Sequence, residues 1–436
     1  MRRVTQLLPL LRAFQPGVCQ IRCAELLPAS SQHSQPCTAL HTAEVAATAD
    51  RSSAYQPAST CSAINCQGQR HMRPDRRHLF TEAAAGPPAF VFDIDGVLIR
   101  GKRVLDAAKT AMAKLYKTGG ETLRFPVCFL TNGGGVTEAR KAAQLSDWLD
   151  VAVSPQQVVL SHTPFRQLAP RLGHQPVLII GHGDIAHVAK EYGFHKAVTT
   201  DELAVALGSS ALPFHRGSQA EPKHVPRVLG KDGFGSEAQP FAAVLVFKDP
   251  VDWYQDLQLA TDVILSGGVP LRSRPVGNHT VEVVFSNPDL VWANDHPVSR
   301  LGQGAFATCL EALHQQLAGK SLQRVKYFGK PNPEPYELIQ KLLMQQAHEL
   351  GYVSSQETGS LPFGGIFMVG DNPKADVRGA RLRGPPWVPI LVRTGVFQGP
   401  EANDPEDPAD IVVDDVAAAV DAALHRSRNS KWHSLR

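Results

Sequence analysis

The chain has 436 residues, of which 43% are hydrophobic and 19% are charged, and its formal net charge at pH 7 is +3. This length exceeds that of one ordinary domain and allows a large core with an inserted second domain. The sequence has no basic stripe interleaved with aromatic residues, which argues against nucleic-acid binding. It also has no apolar stretch long enough to cross a bilayer.

The first 86 residues differ in composition from the rest of the chain. They contain nine arginines, no lysine and five acidic residues, and Arg2, Arg3 and Arg12 stand among leucines. Such Arg-rich, acid-poor sequence predicts an organelle transit peptide for the mitochondrion or, alternatively, the chloroplast. A disordered extension without a targeting role stays open. Five of the seven cysteines lie in this tail, so a disulfide-stabilised fold is not expected.

From Ala89 onward, apolar runs alternate with helical patterns, which predicts an α/β fold with a parallel sheet covered by helices on both faces. The spacing of apolar residues predicts helices over 107–117 and 138–149. Ligands of such sheets bind at the carboxyl ends of the strands. Polar residues that follow apolar runs are therefore the candidates for the functional site.

The first such place is the sequence FVFDIDGV, in which an apolar run ends in Asp93, Asp95 and Gly96. Two carboxylates this close repel each other unless a cation lies between them or one holds a proton. Either arrangement has a chemical use, as an oxygen-ligand metal site or as a nucleophile beside an acid. Two solvated loop aspartates are the alternative.

Three later stretches repeat the pattern. PVCFLTNGGG ends in Thr131 and Asn132 before three glycines, VKYFGKP places Lys330 in a Gly-Lys-Pro turn, and GGIFMVGDNPKAD carries Asp371 and Asp376. Roles in turns and helix caps would explain each motif separately. Four polar strand ends in one chain favour a shared site for a phosphate and a metal ion.

Between residues 161 and 305 the simple alternation is interrupted, and we predict an inserted domain. Its expected elements are strands over 177–181 and 242–247, a strand that runs into a turn over 281–289, a helix over 256–266 and a long surface loop over 208–239. We interpret His182, Asp184 and His187 as the start of a helix rather than as a metal site. The predicted organisation is a tail (1–86), a core (87–160 and 306–425), an inserted cap (161–305) and a carboxyl-terminal tail (426–436).

The ordered motifs DIDGV, TN, GKP and GDNPKAD resemble those of the haloacid dehalogenase superfamily, subclass IIA. SHTPF at 161–165 and FKDPVDWYQDLQLATDVI at 247–264 are similar to its mitochondrial branch, named for the cat eye syndrome critical region protein 5. The resemblance implies a Rossmann-like three-layer α/β core and an α/β cap of the C2 type, which closes over the site. It covers about 90–416.

The resemblance also assigns roles to individual residues. It implies that Asp93 is the nucleophile, that Asp95 is the acid and base, and that Thr131 and Lys330 assist catalysis. Mg²⁺ is the implied cofactor. The implied metal ligands are Asp93, Asp95, Asp371 and Asp376, and the implied substrate-binding residues are Gly96, Asn132, Gly133, Asn287 and Asp289.

The expected function is magnesium-dependent hydrolysis of a small phosphorylated metabolite through an aspartyl phosphate. Loss of a halide needs no proton, so the acid Asp95 favours phosphate esters over carbon halides as substrates. A binding or regulatory protein without turnover and a phosphotransferase are the alternatives, and a homodimer through the cap is possible. Gly133 and Gly134 depart from many members of the subclass, which carry an amide or a hydroxyl side chain there.

Overall fold

The computed structural model describes residues 86–214, 239–271, 280–292, 294, 296, 298–353 and 361–429. The predicted transit peptide lies outside these residues except at its last position, as does most of the predicted loop at 208–239. Within the described ranges, no helix is both long and apolar enough to span a membrane.

The described chain alternates short strands with helices. The strands are β1 (Pro88–Phe92), β2 (Ile99–Arg100), β3 (Arg103–Val104), β4 (Val127–Leu130), β5 (Val158–Val159), β6 (Val177–Ile180), β7 (Ala197–Thr199), β8 (Ala243–Val246), β9 (Glu282–Phe285), β10 (Val291–Trp292), β11 (Arg300–Leu301), β12 (Val325–Tyr327), β13 (Gly365–Gly370), β14 (Trp387–Val392) and β15 (Ile411–Val413). The helices are α1 (Asp106–Leu115), α2 (Glu138–Leu149), α3 (Ala169–Leu172), α4 (Ile185–Glu191), α5 (Thr200–Leu207), α6 (Trp253–Leu265), α7 (Gln303–Ala318), α8 (Pro333–Glu349), α9 (Arg378–Arg383) and α10 (Val416–Asn429).

The core is a six-stranded sheet in the order β15-β14-β13-β1-β4-β5. All its strand pairs are parallel. Its central strand β1 is buried along its whole length, as parallel strands covered on both faces usually are. The predicted α/β fold is therefore confirmed, and α2 has the bounds that the sequence predicted.

The two faces of β1 enter different apolar clusters because successive side chains point to opposite sides of a sheet. Phe90 and Phe92 pack with residues of α1, α2 and α10. Ala89 and Val91 pack with residues of α8, among them Tyr336. Burial of each large apolar side chain contributes about 1.5–3 kcal/mol. The result is the three-layer arrangement expected from the motifs.

A second sheet of five strands, in the order β12-β9-β8-β6-β7, forms the cap and is also parallel. Its two faces contact α5, α6 and α7 on one side and α4 on the other. The predicted helix at 256–266 begins earlier, at Trp253, because the Asp252 side chain accepts a hydrogen bond from the Gln255 amide and caps the helix there.

The cap boundary predicted at residue 305 falls inside α7. That helix packs against the cap through Phe306, Ala307 and Leu310. The next strand, β12, pairs with β9 of the cap sheet. The chain thus stays in the cap until Tyr327 and enters the core immediately before Lys330.

Candidate active site

Three neighbouring strands of the core sheet end in polar residues. Asp93 directly follows β1, Thr131 follows β4 and Asp371 follows β13. The strand order β13-β1-β4 makes these ends adjacent, and the amide of Asp93 donates a hydrogen bond to the carbonyl of Val369 at 2.9 Å. The strands therefore bring the first, second and fourth motifs together at the expected edge of the sheet.

Lys330 completes this group from the segment that links the cap to the core. Its side chain is 2% exposed, and Nζ lies 2.7 Å from Oδ1 of Asp93 and 2.7 Å from Oδ1 of Asp376. Nζ also donates to the carbonyl oxygen of Leu130 at 3.2 Å. Burial lowers the pKa of Lys330, but the charges of Asp376 and Asp93 outweigh that effect and raise it well above its usual value. The lysine is therefore charged.

The two acids of the fourth motif are held by backbone amides. Oδ2 of Asp371 accepts from the amide of Val396 at 2.6 Å, and Oδ2 of Asp376 accepts from the amide of Asn372 at 3.1 Å. Gly96 lies against Asp371 with φ +84°, and a Cβ on it would be 2.3 Å from Oδ2 of that residue. Only glycine fits there without displacing the carboxylate.

The buried charges of the site do not balance. Asp93, Asp371 and Asp376 are buried with one cation, Lys330, so three ionised carboxylates would leave a net charge of −2. Burial, with the repulsion of Asp376, raises the pKa of Asp371 to about 7. Burial and the neighbouring acids also raise the pKa of Asp93, against the lowering effect of Lys330. Both shifts reflect the cost of burying like charges together.

A divalent cation would remove that imbalance, and the donor set fits one. One oxygen from each of Asp93, Asp371 and Asp376 lies within 4.8 Å of the other two. Carboxylate oxygens are the ligands that Mg²⁺ prefers, with water and substrate phosphate at its remaining positions. Asp95 is exposed beside them and lines the same cavity.

Thr131 lines the same cavity as the acids. Its side chain is buried, and Oγ1 accepts a hydrogen bond from the amide of Gly133 at 2.9 Å. The hydroxyl proton stays available for another acceptor. Gly133 lies near Asp95, since a Cβ on Gly133 would be 3.7 Å from Oδ2 of Asp95.

The side-chain amide of Asn132, which was predicted to bind substrate, holds two loops together. Its Nδ2 donates to Oδ2 of Asp289 at 2.8 Å and to the carbonyl of Lys330 at 3.1 Å, while Oδ1 accepts from the amide of Lys330 at 2.8 Å. Asn287 donates to the carbonyl of Asn132 at 3.0 Å. The side chains of Asn132 and Asn287 thus connect the core to the cap.

Asp289 is the third member of that connection and also lines the cavity. Burial raises its pKa to about 6, although the hydrogen bond from Asn132 and the charge of Lys330 act in the opposite direction. Its backbone amide donates to Oδ1 of Asn287 at 3.0 Å. The segment Asn287–Asp289, in which both end residues were predicted to bind substrate, is therefore held by the side chain of Asn287 and lines the cavity.

The sequence predictions missed His162. This residue is 0% exposed, and its Nε2 accepts the amide of Gly135 at 3.0 Å. Gly134 packs against the same ring, because a Cβ on it would be 2.6 Å from Cδ2 of His162 and 2.9 Å from Oγ of Ser161. Many members of the subclass carry a larger side chain at positions 133 and 134. The structure explains the glycine at position 134, where the loop has no room for a side chain.

A buried hydrogen-bond chain extends from His162 into the cap. Its Nδ1 lies 2.9 Å from the hydroxyl of Tyr192, which donates to Oε1 of Glu138 at 2.5 Å. Burial raises the pKa of Glu138, but the hydrogen bonds of Tyr192 and Thr163 and the charge of Arg166 outweigh this and lower it. An ionised Glu138 can only accept hydrogen bonds, so the Tyr192 hydroxyl donates to it. The same hydroxyl then accepts a hydrogen bond from Nδ1–H of the neutral imidazole.

The turn at residues 181–184 also contacts the glycine loop, which is residues 133–135. The amide of Asp184 donates to the carbonyl of Gly135 at 2.9 Å, and Nδ1 of His182 lies 2.7 Å from the carbonyl of Asp249. A helix begins after Asp184 as predicted, although the Asp184 side chain makes no capping hydrogen bond. The turn therefore fixes the cap against the glycine loop.

A cavity of about 690 Å³ opens from the acids toward the cap. Its inner wall carries Asp93, Asp95, Thr131, Lys330, Asp371 and Asp376. We call the lining from the β2–β3 turn, the residues that follow β8 and the β10–β11 hairpin the outer wall. Pockets of this size bind small molecules and leave room for more than a phosphoryl group.

Comparisons with known proteins agree with this geometry. Residues 90–195 match a family model described as haloacid dehalogenase-like hydrolase, and residues 327–419 match a second model for HAD-hydrolase-like proteins. A mitochondrial hydrolase of Saccharomyces cerevisiae is 34% identical over 80% of this chain and 98% of its own length. A Schizosaccharomyces pombe fusion of CMP-forming cardiolipin synthase with a mitochondrial hydrolase is 38% identical over 80% of this chain, which spans 56% of that protein.

Two solved structures share the fold at lower identity. A hypothetical protein of Pyrococcus horikoshii is 21% identical, with a TM-score of 0.51 over 77% of this chain and 98% of its own. A possible sugar phosphatase of the HAD superfamily from Cytophaga hutchinsonii is 16% identical, with a TM-score of 0.51 over 76% of this chain and 95% of its own. Both similarities concern the arrangement of the strands and helices.

Proposed function

The chain belongs to the haloacid dehalogenase-like hydrolase family, and we propose that it is a magnesium-dependent phosphatase of small phosphate monoesters. One observation carries the proposal. Lys330 lies 2.7 Å from both Asp93 and Asp376, within a buried acidic group whose charge calls for one divalent cation. A nucleophilic carboxylate, a fixed cation and a metal site then meet where a phosphate would bind.

In the proposed first step, an oxygen of Asp93 attacks phosphorus and the bond from phosphorus to the ester oxygen breaks. The leaving alkoxide takes a proton from Asp95, which gives an alcohol and an aspartyl phosphate. In the second step Asp95 accepts a proton from water as that water attacks phosphorus, which regenerates Asp93 and releases phosphate. Asp93, Asp371 and Asp376 would hold a magnesium ion, which would neutralise charge on the phosphate so that an anionic nucleophile could approach it.

The other residues position these groups. Lys330 holds one oxygen of Asp93, which leaves the second oxygen for attack. The hydroxyl of Thr131 and the backbone near Gly96 and Gly133 supply contacts to the phosphoryl oxygens. Because the side chain of Asn132 is engaged with Asp289 and Lys330, we assign it to loop positioning in place of phosphate binding.

We further propose that the protein acts in the mitochondrion. The support is the predicted transit peptide and the relatives of S. cerevisiae and S. pombe, both named as mitochondrial hydrolases. The chloroplast alternative finds no support among these relatives. A homodimer through the cap stays a prediction.

The test uses the full-length purified chain with para-nitrophenyl phosphate, with and without Mg²⁺. We expect metal-dependent release of phosphate that Asp93→Asn lowers at least a thousandfold, because the nucleophile is lost. We also expect Mg²⁺ to raise the melting temperature of the wild type by mass action, and less so that of Asp371→Asn.

Two results would contradict the proposal. The first is an Asp93→Asn variant that is folded and turns over at the wild-type rate. The second is binding of Mg²⁺, seen by calorimetry, with no phosphate released from any ester in a panel of phosphorylated metabolites. The second result would leave a binding protein with this fold.

A further inference from the structure

The outer wall of the cavity carries positive charge that the proposed chemistry does not use. Lys102, Lys248 and Arg300 all line it. Within the described residues, none of the three forms an ion pair with a carboxylate, whereas Lys330 pairs with Asp93 and Asp376. The carboxylate of Asp249 lies on the same wall, and Asp289, just before β10, also lines the cavity. The three cations exceed these two carboxylates by one charge when all five groups are ionised.

These cations come from separate parts of the chain. Lys102 lies in the turn between β2 and β3 of the core, Lys248 follows β8 in the cap sheet and Arg300 lies in β11. Lys102 and Arg300 are exposed, and Lys248 is partly buried. The proposed chemistry directs the phosphate of the substrate to Lys330 and the metal site on the inner wall, so these three cations remain able to receive a second anionic group.

The same wall has an apolar part. The β10–β11 hairpin is antiparallel and pairs Val291 with Leu301 and Trp292 with Arg300. Paired residues of an antiparallel ladder lie on the same face, so the side chains of Trp292 and Arg300 project from one face of the hairpin. Trp292 is 41% exposed, and Leu301, on the opposite face of the hairpin with Val291, is 62% exposed. All three residues line the cavity. Exposed apolar groups around a polar site mark a binding surface for an apolar part of a ligand.

We propose that the substrate is a phosphate monoester whose leaving group carries a second anionic group next to a flat apolar moiety. The inner wall receives the phosphate, Lys102, Lys248 and Arg300 receive the second anion, and Trp292 packs on the apolar moiety. This assignment rests on the proposed phosphatase function and adds the chemical class of the leaving group.

The test compares two aryl esters that match in size and nearly match in leaving group. These are para-carboxyphenyl phosphate, which carries the second anion, and the neutral para-carbamoylphenyl phosphate. We expect the wild type to prefer the carboxylate ester by about tenfold in kcat/KM, the size of one favourable charge contact in a partly buried site. The preference should decrease as salt concentration rises.

Variants of the wall identify the residues responsible. Arg300→Gln and Lys102→Gln should each lower kcat/KM for the carboxylate ester more than for the carbamoyl ester, mainly through KM. Trp292→Ala should raise KM for both aryl esters more than KM for a carboxyalkyl phosphate without a ring. Arg381→Gln, an exposed arginine on α9 that does not line the cavity, is the matched control and should leave the preference unchanged.

The outcomes separate this inference from the proposed function. Hydrolysis of neither ester in the presence of Mg²⁺ would contradict the phosphatase assignment itself. Equal kcat/KM for the two esters, with both sensitive to Asp93→Asn, would overturn the anion site and leave the phosphatase assignment standing. A preference that survives in the triple variant of Lys102, Lys248 and Arg300 to glutamine would also overturn it.

Discussion

The imidazole of His162 accepts a hydrogen bond from the backbone amide of Gly135 at 3.0 Å. The acceptor belongs to the segment after β5, and the donor belongs to the glycine loop after β4. The same ring contacts Tyr192 in the cap. One buried side chain therefore joins the loop beside Thr131 to the cap, and several expected results depend on it.

Removing this acceptor should affect catalysis as well as stability. His162→Leu leaves the Gly135 amide buried without a partner, so we expect a loss of about 2 kcal/mol in the free energy of unfolding and a lower kcat. His162→Gln offers an oxygen to the same amide and should recover part of kcat. Chemical denaturation and steady-state kinetics with para-nitrophenyl phosphate measure the two effects.

Thr200→Val is the matched control for His162→Leu. It removes the buried hydrogen bond of 2.6 Å from Thr200 to Asp256 in the cap, which does not contact the glycine loop. We expect a comparable loss of stability with kcat preserved. If both variants change kcat equally, His162 acts only through stability and not by positioning the loop.

The stability of the fold should depend on pH through His162. Burial lowers the pKa of this imidazole to about 4 from its usual 6.5, against the attraction of Glu138 and with the repulsion of Lys248 and Arg166. Between about pH 4 and pH 6.5 the imidazole binds a proton in the unfolded chain but not in the folded chain. The free energy of unfolding therefore falls as pH decreases through this range. Across the window from pH 6.5 to 4 the expected loss is about 3 kcal/mol.

Comparison with His162→Gln isolates this contribution, because glutamine does not titrate. The difference in unfolding free energy between wild type and variant should shrink as pH falls from 6.5 toward 4, as measured by urea denaturation at fixed ionic strength. A difference that is constant over this range would mean that the imidazole is not held neutral in the folded protein.

A methyl group at position 134 should disrupt the glycine loop. In Gly134→Ala the new Cβ would lie 2.6 Å from the ring of His162, and we expect a destabilisation of about 1–3 kcal/mol from overpacking. In Gly133→Ala the nearest atom would be Oγ1 of Thr131 at 3.2 Å, so the loss of stability should be smaller. Thermal unfolding of the two variants gives the comparison, and an equal loss would argue against a tight fit at Gly134.

Asp95 should matter most for esters with poor leaving groups. An alkoxide needs a proton as it departs, whereas nitrophenolate leaves without one, so the acid contributes more to alkyl esters. Asp95→Asn should therefore lower kcat for an alkyl phosphate about a hundredfold or more, with a smaller effect on para-nitrophenyl phosphate. Because Asp95 is exposed, stability should change by less than about 0.5 kcal/mol. Equal losses for the two esters would contradict its role as the acid.

The sequence alone determined the class of fold and the edge of the sheet that carries the site. Apolar runs that end in Asp93, Thr131 and Asp371 are local patterns, and a strand places its next residue at its carboxyl end whatever the rest of the chain does. The family resemblance rests on these motifs and was confirmed. The helix over 138–149 was also readable from its periodicity.

The tertiary structure decided which of these groups touch. Lys330 reaches Leu130 from 200 residues away, and neither its pairing with Asp376 nor the engagement of Asn132 by Asp289 follows from spacing along the chain. The cap continues to Tyr327 because β12 pairs with β9. The position of His162 follows from the packing of the glycine loop against the cap. Periodicity records what each segment buries, whereas contacts between distant segments arise only when the complete chain packs.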